Sequence, residues 1–265
     1  MSPAPDSAKA TDAGEYQVVP ARTLEELDAV SSLQAEIWGS PQIAAPSTLL
    51  RAISEAGGTV LLAKAGVRPV GFAYGFTGRT PAGVTYHRSH SAGVLPEFRN
   101  SGIGRALKLA QRREVLAAGL DRIVWTFDPT QVGNAHFNLR RLGATARGFR
   151  RDFYGRRDDA LSRGLPTDRL FVEWFLGAPE QAELTRLRRG ARLASVTLPE
   201  GLPAPPGEDG ARVLEIQEVL REQLESALSK GLQIIDFDAD SRTYQLAELP
   251  SWFPEPAEGG AAASD

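Results

Sequence analysis

One junction limits the folds open to this chain. Tyr86–Leu95 reads as a strand, Pro96–Ser101 as a loop, and Ser101–Ala118 as a helix closed by Gly119. The junction runs Gly93-Val-Leu-Pro-Glu-Phe-Arg99-Asn-Ser-Gly102-Ile-Gly104-Arg105-Ala-Leu-Lys108. The first backbone N–H groups of a helix have no intrahelical acceptor and lie at its positive dipole end. Glycines at 102 and 104 let a ligand reach that backbone without meeting a Cβ. Together these features make an anion cradle suited to phosphate or pyrophosphate. Arg99, Arg105 and Lys108 add positive charge around it.

The rest of the chain alternates in kind. Tyr16–Val19 is a β-type run, and Thr23-Leu-Glu-Glu26 offers a capping box before Leu27, Val30, Leu33 and Ile37 at near-helical spacing. Residues 46–56 form a second short helix stopped by Gly57-Gly58. Thr59–Ala63 and Val70–Thr77 read as a strand pair about Gly66. Ile123–Phe127 is a buried strand, Asn134–Leu142 a short helix closed by Gly143, and 145–153 and 170–176 supply further strands. Helices thus alternate with strands of a mixed sheet. Four prolines and three glycines at 197–210 predict a linker. Beyond it Val213, Leu214 and Ile216 suggest a strand, Leu220–Leu228 a helix ended by Gly231, and Ile235–Phe237 and Tyr244–Leu246 two more strands. That β-α-β-β unit is too small to stand alone. It must dock on the main sheet or on a second subunit in a homodimer. The expected division is a tail at 1–14, a main domain at 15–178, a connecting helix and linker at 179–210, the small unit at 211–248 and a disordered tail at 249–265.

Composition removes several classes of function. The absence of cysteine excludes disulfides, Cys-ligated zinc, iron–sulfur clusters and a cysteine nucleophile. A formal net charge of −3 gives no reason to expect nucleic acid or an anionic membrane as partner. Residues 1–14 lack the apolar stretch of a signal peptide, and no apolar run approaches the ~20 residues that span a bilayer. The expectation is a soluble, cytoplasmic protein without a metal.

Read on spacing alone, the junction has three competing explanations. It is a glycine-bearing loop without a ligand, a dinucleotide site, or an acyl-CoA site. The dinucleotide fingerprint wants a small residue where this chain has Leu107, and a tighter turn than Pro96–Ser101. Val94-x-Pro-Glu-Phe-Arg99-x-x-Gly102-Ile-Gly104 resembles the acyl-CoA pyrophosphate motif of the GNAT superfamily of N-acyltransferases. The resemblance implies an α+β fold: a mixed, mostly antiparallel sheet flanked by helices, here with a small C-terminal β-α-β-β appendage. It implies acetyl-CoA or another acyl-CoA as co-substrate, direct transfer to the amine of a small molecule, and a strand that splays from the next to admit the pantetheine arm. By position, Val94 and Leu95 would offer backbone groups to the pantetheine or thioester. Arg99, Asn100, Ser101, Gly102, Ile103 and Gly104 would hold the pyrophosphate, and Asn134 would contact the cofactor.

A finer resemblance rests on Ile123-Val-Trp125-Thr-Phe-Asp128-Pro129, Asn134-Ala-His-Phe-Asn138, Asp152-Phe-Tyr154-Gly155 and Gly164-Leu-Pro-Thr-Asp168-Arg169. It is similar to a bacterial GNAT subfamily associated with N-acylation or N-succinylation of amino acids. The chain departs from many GNAT members at Leu139, where a tyrosine usually protonates the leaving thiolate. That position leaves open a non-catalytic protein that binds CoA or a partner, and the fold also serves protein and peptide acetyltransferases. Tyr154 is the substitute acid or a packing residue at a strand end. A general base must take the ammonium proton. His87 and His90 are three apart on one strand and so face opposite sides. His90 lies nearer the expected thioester and is the candidate base, with a histidine bonded within the sheet as the alternative. Asp128 and Asn138 are further polar candidates, although Asp128 before Pro129 also suits a turn and Asn138 a bridge between backbone groups. His136 reads as surface or helix-face decoration and Trp125 as core. Asp168 and Arg169 form a local ion pair or grip an acceptor carboxylate.

Overall fold

The computed structural model describes residues 10–11, 14–155, 164–190, 193–202 and 210–257. The expected tail at 1–14 and the centre of the linker fall almost wholly outside them. The chain divides into two compact units. The first holds residues up to Gly78 and His87–Leu120; the second holds Arg79–Tyr86 and everything from Asp121 on.

In the first unit, β1 (Ala10–Thr11), β2 (Gly14–Pro20), β3 (Thr59–Ala65), β4 (Arg68–Arg79) and β5 (Thr85–Val94) are neighbours in chain order. The pairs β1–β2, β2–β3 and β3–β4 are antiparallel. The helices are α1 (Leu24–Trp38), α2 (Ser47–Glu55) and α3 (Ile103–Ala117). The capping box forms as the sequence predicts: Thr23 Oγ1 accepts from the Glu26 N–H at 3.2 Å, and the Glu26 carboxylate accepts from the Thr23 N–H at 3.2 Å. Amides of Arg22 and Thr23 and the Lys64 ammonium hold the Glu26 carboxyl down at about 2.

Strand β3 is apolar on both sides because both sides are covered. Val60 and Leu62 pack with Leu27, Val30 and Phe72 on the α1 side. Leu61 and Ala63 pack with Ile103 and Leu107 of α3. Alternation between two covered faces is what a continuous apolar run of strand length encodes.

In the second unit the strands are β6 (Arg122–Phe127), β7 (Thr145–Arg150), β8 (Arg169–Phe175), β9 (Ala194–Thr197), β10 (Leu232–Asp238) and β11 (Thr243–Glu248). The order across the sheet is β6-β8-β7-β10-β11-β9, with antiparallel neighbours throughout. The helices are α4 (Val132–Ala135), which runs into a π-turn at His136–Arg141, then α5 (Ala178–Arg189) and α6 (Gly210–Ser229). The C-terminal strands join the sheet of their own chain. Ile234 pairs with Ala146 of β7, and Thr145 Oγ1 donates to the Ile234 carbonyl at 2.8 Å. Arg188 of α5 ties the Ile235 and Ala144 carbonyls together at 2.7 and 3.0 Å.

Two sequence expectations need correction here. The strand expected at 213–216 is the first turns of α6. Of its buried residues, Val213, Gln217, Leu220, Leu224 and Ala227 step by four and three with Arg221 beside them, so one helical period runs through the whole segment. The C-terminal unit is therefore α-β-β, completed by β9 from before the linker. The expected tail at 249–265 is packed over its described part. Phe253 and Ala257 are buried, the former against Phe175 at 4.8 Å between ring centroids. The Ala257 N–H donates to Glu173 at 2.6 Å, and Arg122 donates to the Glu255 carbonyl at 2.8 Å. Glu173 is fully enclosed beside Arg122 and Arg147, at 3.4 and 3.6 Å. A buried carboxylate needs such partners, and the chain segment completes its shell. The overall architecture is α+β, a mostly antiparallel arrangement of strands flanked by helices.

Candidate active site

The expected cradle lies within the first unit. After Leu95 the chain makes a 3-10 turn at Pro96–Phe98, held by Phe98 N–H to the Leu95 carbonyl at 2.9 Å and Arg99 N–H to the Pro96 carbonyl at 3.2 Å. Ser101 Oγ donates to the Phe98 carbonyl at 2.6 Å. Asn100 and Gly102 both take positive φ, 62° and 90°. Asparagine and glycine are the residues that accept this. The Ala106 N–H makes the first helical bond, to the Gly102 carbonyl at 3.0 Å. The amides of Ile103, Gly104 and Arg105 are left without intrahelical acceptors. Arg99 and Arg105 are exposed beside this end.

Two details differ from the sequence reading. The Leu95 N–H donates to the Val70 carbonyl at 3.0 Å and Leu95 is buried, so this amide is already engaged and not open to a pantetheine or thioester. The Val94 carbonyl accepts from Arg99 Nε at 3.4 Å. Lys108 does not stand at the cradle. It is buried on α3, donates to Ser89 Oγ at 2.7 Å, and is pushed down to about 7 by burial.

His87 and His90 do point to opposite faces. His87 is buried beside Thr59, and a Cβ on Gly75 would come within 2.5 Å of its Nε2. Gln111 Nε2 donates to Thr59 Oγ1 at 3.1 Å, and the same hydroxyl lies 3.2 Å from His87 Nε2. Burial, and then the Lys108 charge, push His87 down to about 4. A histidine neutral when folded stabilises the fold fully above its unfolded pKa of about 6.5, and that stability is lost as pH falls toward 4. At pH 5 the loss from this group is about 2 kcal/mol. Urea unfolding at pH 7 and pH 5 should show it, and His87→Gln should flatten the difference. An unchanged difference in the variant would assign the loss to other groups.

His90 lies on the side that opens to solvent. Its ring sits 5.5 Å from that of Tyr74 and 5.8 Å from that of Phe76. With Ile43, Ala44, Ala45, Leu49 and Ile53 these three line a pocket of about 390 Å³. The His90 pKa is lowered, first by burial and then by the Arg88 charge, so the imidazole is neutral near pH 7 and able to take a proton. Sequence reasoning missed the residue that sets this pocket. Gln34, buried on α1, accepts from the Ala45 N–H at 3.0 Å and from the Tyr74 hydroxyl at 3.4 Å. It thus fixes one wall to another. A glutamine on the apolar stripe of a helix was the available signal.

The other expected site residues belong to the second unit. Asp128 Oδ1 accepts from the Thr130 N–H and hydroxyl at 2.9 and 2.8 Å, which is the turn role. Asn134 is exposed on α4, and Asn138 is buried on the π-turn with its carbonyl bonded to the Ala144 N–H at 3.1 Å. Leu139 is fully enclosed. His136 is half-buried on the π-turn. Tyr154 is exposed, its hydroxyl 3.3 Å from Thr126 Oγ1 and its ring 5.2 Å beneath the Arg169 guanidinium. Among the described residues Asp168 does not pair through its side chain with Arg169, whose guanidinium donates to the Asp168 carbonyl at 2.7 Å. Its partner is Arg221 of α6, bidentate at 2.6 and 2.9 Å. Among the described residues no group of three or more His, Asp or Glu side chains is placed to hold a metal. No described helix is long and apolar enough to cross a membrane.

Residues 27–144 match the sequence model of the Acetyltransferase (GNAT) family, a span that takes in the cradle, the pocket and the π-turn. A GNAT-family acetyltransferase from Streptococcus pneumoniae is 13% identical and superposes with a TM-score of 0.50, over 62% of this chain and 100% of its own. A ribosomal-protein-alanine N-acetyltransferase from Brucella melitensis is 21% identical, with a TM-score of 0.49 over 60% of this chain and 99% of its own. Arabidopsis thaliana Naa50, in complex with the bisubstrate analogue CoA-Ac-MVNAL, is 16% identical, with a TM-score of 0.47 over 60% and 97%. No curated protein matches this sequence. The fold is the GNAT fold, and residues 27–144 carry the sequence pattern of that acetyltransferase family.

Proposed function

We propose that this protein is an acyl-CoA-dependent N-acyltransferase that moves an acetyl or succinyl group directly to the amine of a small molecule, in the cytoplasm. The observation that carries the reading is the start of α3. The positive φ at Asn100 and Gly102 turns the chain so that the amides of Ile103, Gly104 and Arg105 end in a loop flanked by Arg99 and Arg105. That suits a pyrophosphate. On this reading 15–178 carry the transfer chemistry and 211–248 support it.

The reaction needs a neutral amine. His90, uncharged near pH 7, takes one ammonium proton, directly or through a water. The nitrogen lone pair then forms the C–N bond to the thioester carbonyl, and the C–S bond breaks with its electron pair going to sulfur. The thiolate gains its proton from solvent. With no cysteine in the chain, transfer passes through no acyl-cysteine.

Calorimetry with acetyl-CoA and succinyl-CoA, followed by mass spectrometry of products from a matrix of donors and amines, tests the reading. Absence of binding by either thioester would sink it. His90→Ala should lower turnover about 100-fold near pH 7. The deficit should shrink at high pH, where the amine loses its proton unaided. A deficit equal at all pH values removes His90 as the base. The enclosed Leu139, which has no proton to give, favours a second reading as a CoA-binding protein without turnover. Binding without any product would decide for it.

A further inference from the structure

We infer that the pocket beside His90 takes the apolar group of an amine acceptor that carries no carboxylate. This rests on the acyltransferase reading and narrows its substrate class. The lining is aliphatic on one side, through Ile43, Leu49 and Ile53, and aromatic on the other, through Tyr74 and Phe76. No acidic or basic side chain other than the imidazole takes part. The Tyr74 hydroxyl is committed to Gln34, and burial pushes its pKa up to about 12, so it stays a neutral phenol.

A carboxylate placed here would find no cation in the lining, since the imidazole is neutral near pH 7. An apolar group gains free energy as its surface leaves water. Leu49 and Phe76 are 49% and 39% exposed, and they form the kind of open apolar surface that a ligand covers. A volume of about 390 Å³ is at the small end for ligand pockets. It suits one branched or aromatic side group. The aromatic wall also attracts the arriving ammonium through its ring faces. One ammonium proton passes to a ring nitrogen of His90, and a second leaves the nitrogen as the amide forms, so that the products are the amide, the CoA thiol and one proton.

The test compares matched acceptors on the full-length protein with acetyl-CoA as donor. Isoamylamine and 2-phenylethylamine are set against leucine and phenylalanine, which add a carboxylate to the same side groups. A peptide with an N-terminal leucine forms the third arm. The simple amines should exceed the amino acids at least 10-fold in kcat/KM. Ala44→Trp, which fills the pocket, should raise KM for the amines at least 10-fold and leave acetyl-CoA affinity unchanged. Leu49→Glu, at an exposed position, should do the same without threat to folding. Equal or better use of the amino acids, a 10-fold preference for the peptide, or variants without effect on KM would each overturn the inference. Failure of the parent reading looks different, since acetyl-CoA would then not bind at all. In that event direct calorimetry of the two amines, against leucine and phenylalanine, still decides whether the pocket takes them.

Discussion

Gly102→Val is expected to lower acetyl-CoA affinity at least 100-fold. Gly102 has φ 90°, a value that a β-branched residue adopts only under strain of about 1–3 kcal/mol. The chain relieves that strain by rotating the residue, and rotation there moves the amides of Ile103 and Gly104 with it. A Cβ at this position meets the Tyr16 hydroxyl at 3.4 Å, an ordinary contact, so the backbone strain carries the effect. The cluster that fixes α3, through Ile103 and Leu107, lies deeper and should hold the rest of the helix. Thermal stability should therefore fall by a few degrees and no more, while calorimetry registers the lost affinity. Gly102→Asn should lose less, because asparagine tolerates left-handed backbone better. Gly104→Trp acts differently, by bulk near the mouth of the cradle, and should also abolish binding. Wild-type affinity in Gly102→Val would mean that the start of α3 is not where the pyrophosphate sits.

The second large effect is expected at Arg221. Its guanidinium holds both oxygens of Asp168, which is 4% exposed. Asp168 in turn accepts the Asp152 N–H at 3.0 Å. Asp152 itself sits at φ 44° and accepts the Thr167 N–H at 2.9 Å, while Thr167 accepts the Tyr154 N–H at 2.8 Å. One arginine on α6 thus orders the turn that presents Tyr154. Arg221→Met leaves a buried carboxylate without its cation, and removal of one member of such a pair costs about 3–5 kcal/mol. Urea unfolding should show a loss of that size. Asp168→Leu combined with Arg221→Met should recover much of it, since removing both charges leaves none unpaired. A loss below about 1 kcal/mol, or no recovery in the double variant, counts against the pair as an anchor. The nearby Arg151 pairs with Glu218 and Glu225 at 2.7 Å are exposed and should matter far less.

The features that could be read from sequence are those that local rules specify. The capping box at Thr23 and Glu26, the two-faced apolar run of β3, and the loop with Asn100 and Gly102 each follow from residues within a turn or two of one another. What could not be read depends on partners far along the chain. The Leu95 amide looked available because nothing local takes it; Val70, 25 positions earlier, does. Asp168 sits next to Arg169 in sequence yet pairs with a residue 53 positions away. Lys108 and Arg105 are indistinguishable as charges in the sequence; it is the packing around α3 that encloses Lys108 beside Ser89 and leaves Arg105 exposed. The helix at 210–229 was missed at its start because three apolar residues in four fit a strand as well as a buried helical stripe.

The packed segment at 250–257 has a consequence for how the second unit is made. Arg122 waits for the carbonyl of Glu255, 133 positions later, and Glu173 waits for the amide of Ala257, 84 positions later. During synthesis both groups exist long before their partners do. Contacts so distant in sequence slow folding. Removal of residues 250–257 would leave the Glu173 carboxyl without the Ala257 amide and Arg122 without the Glu255 carbonyl, inside the second unit.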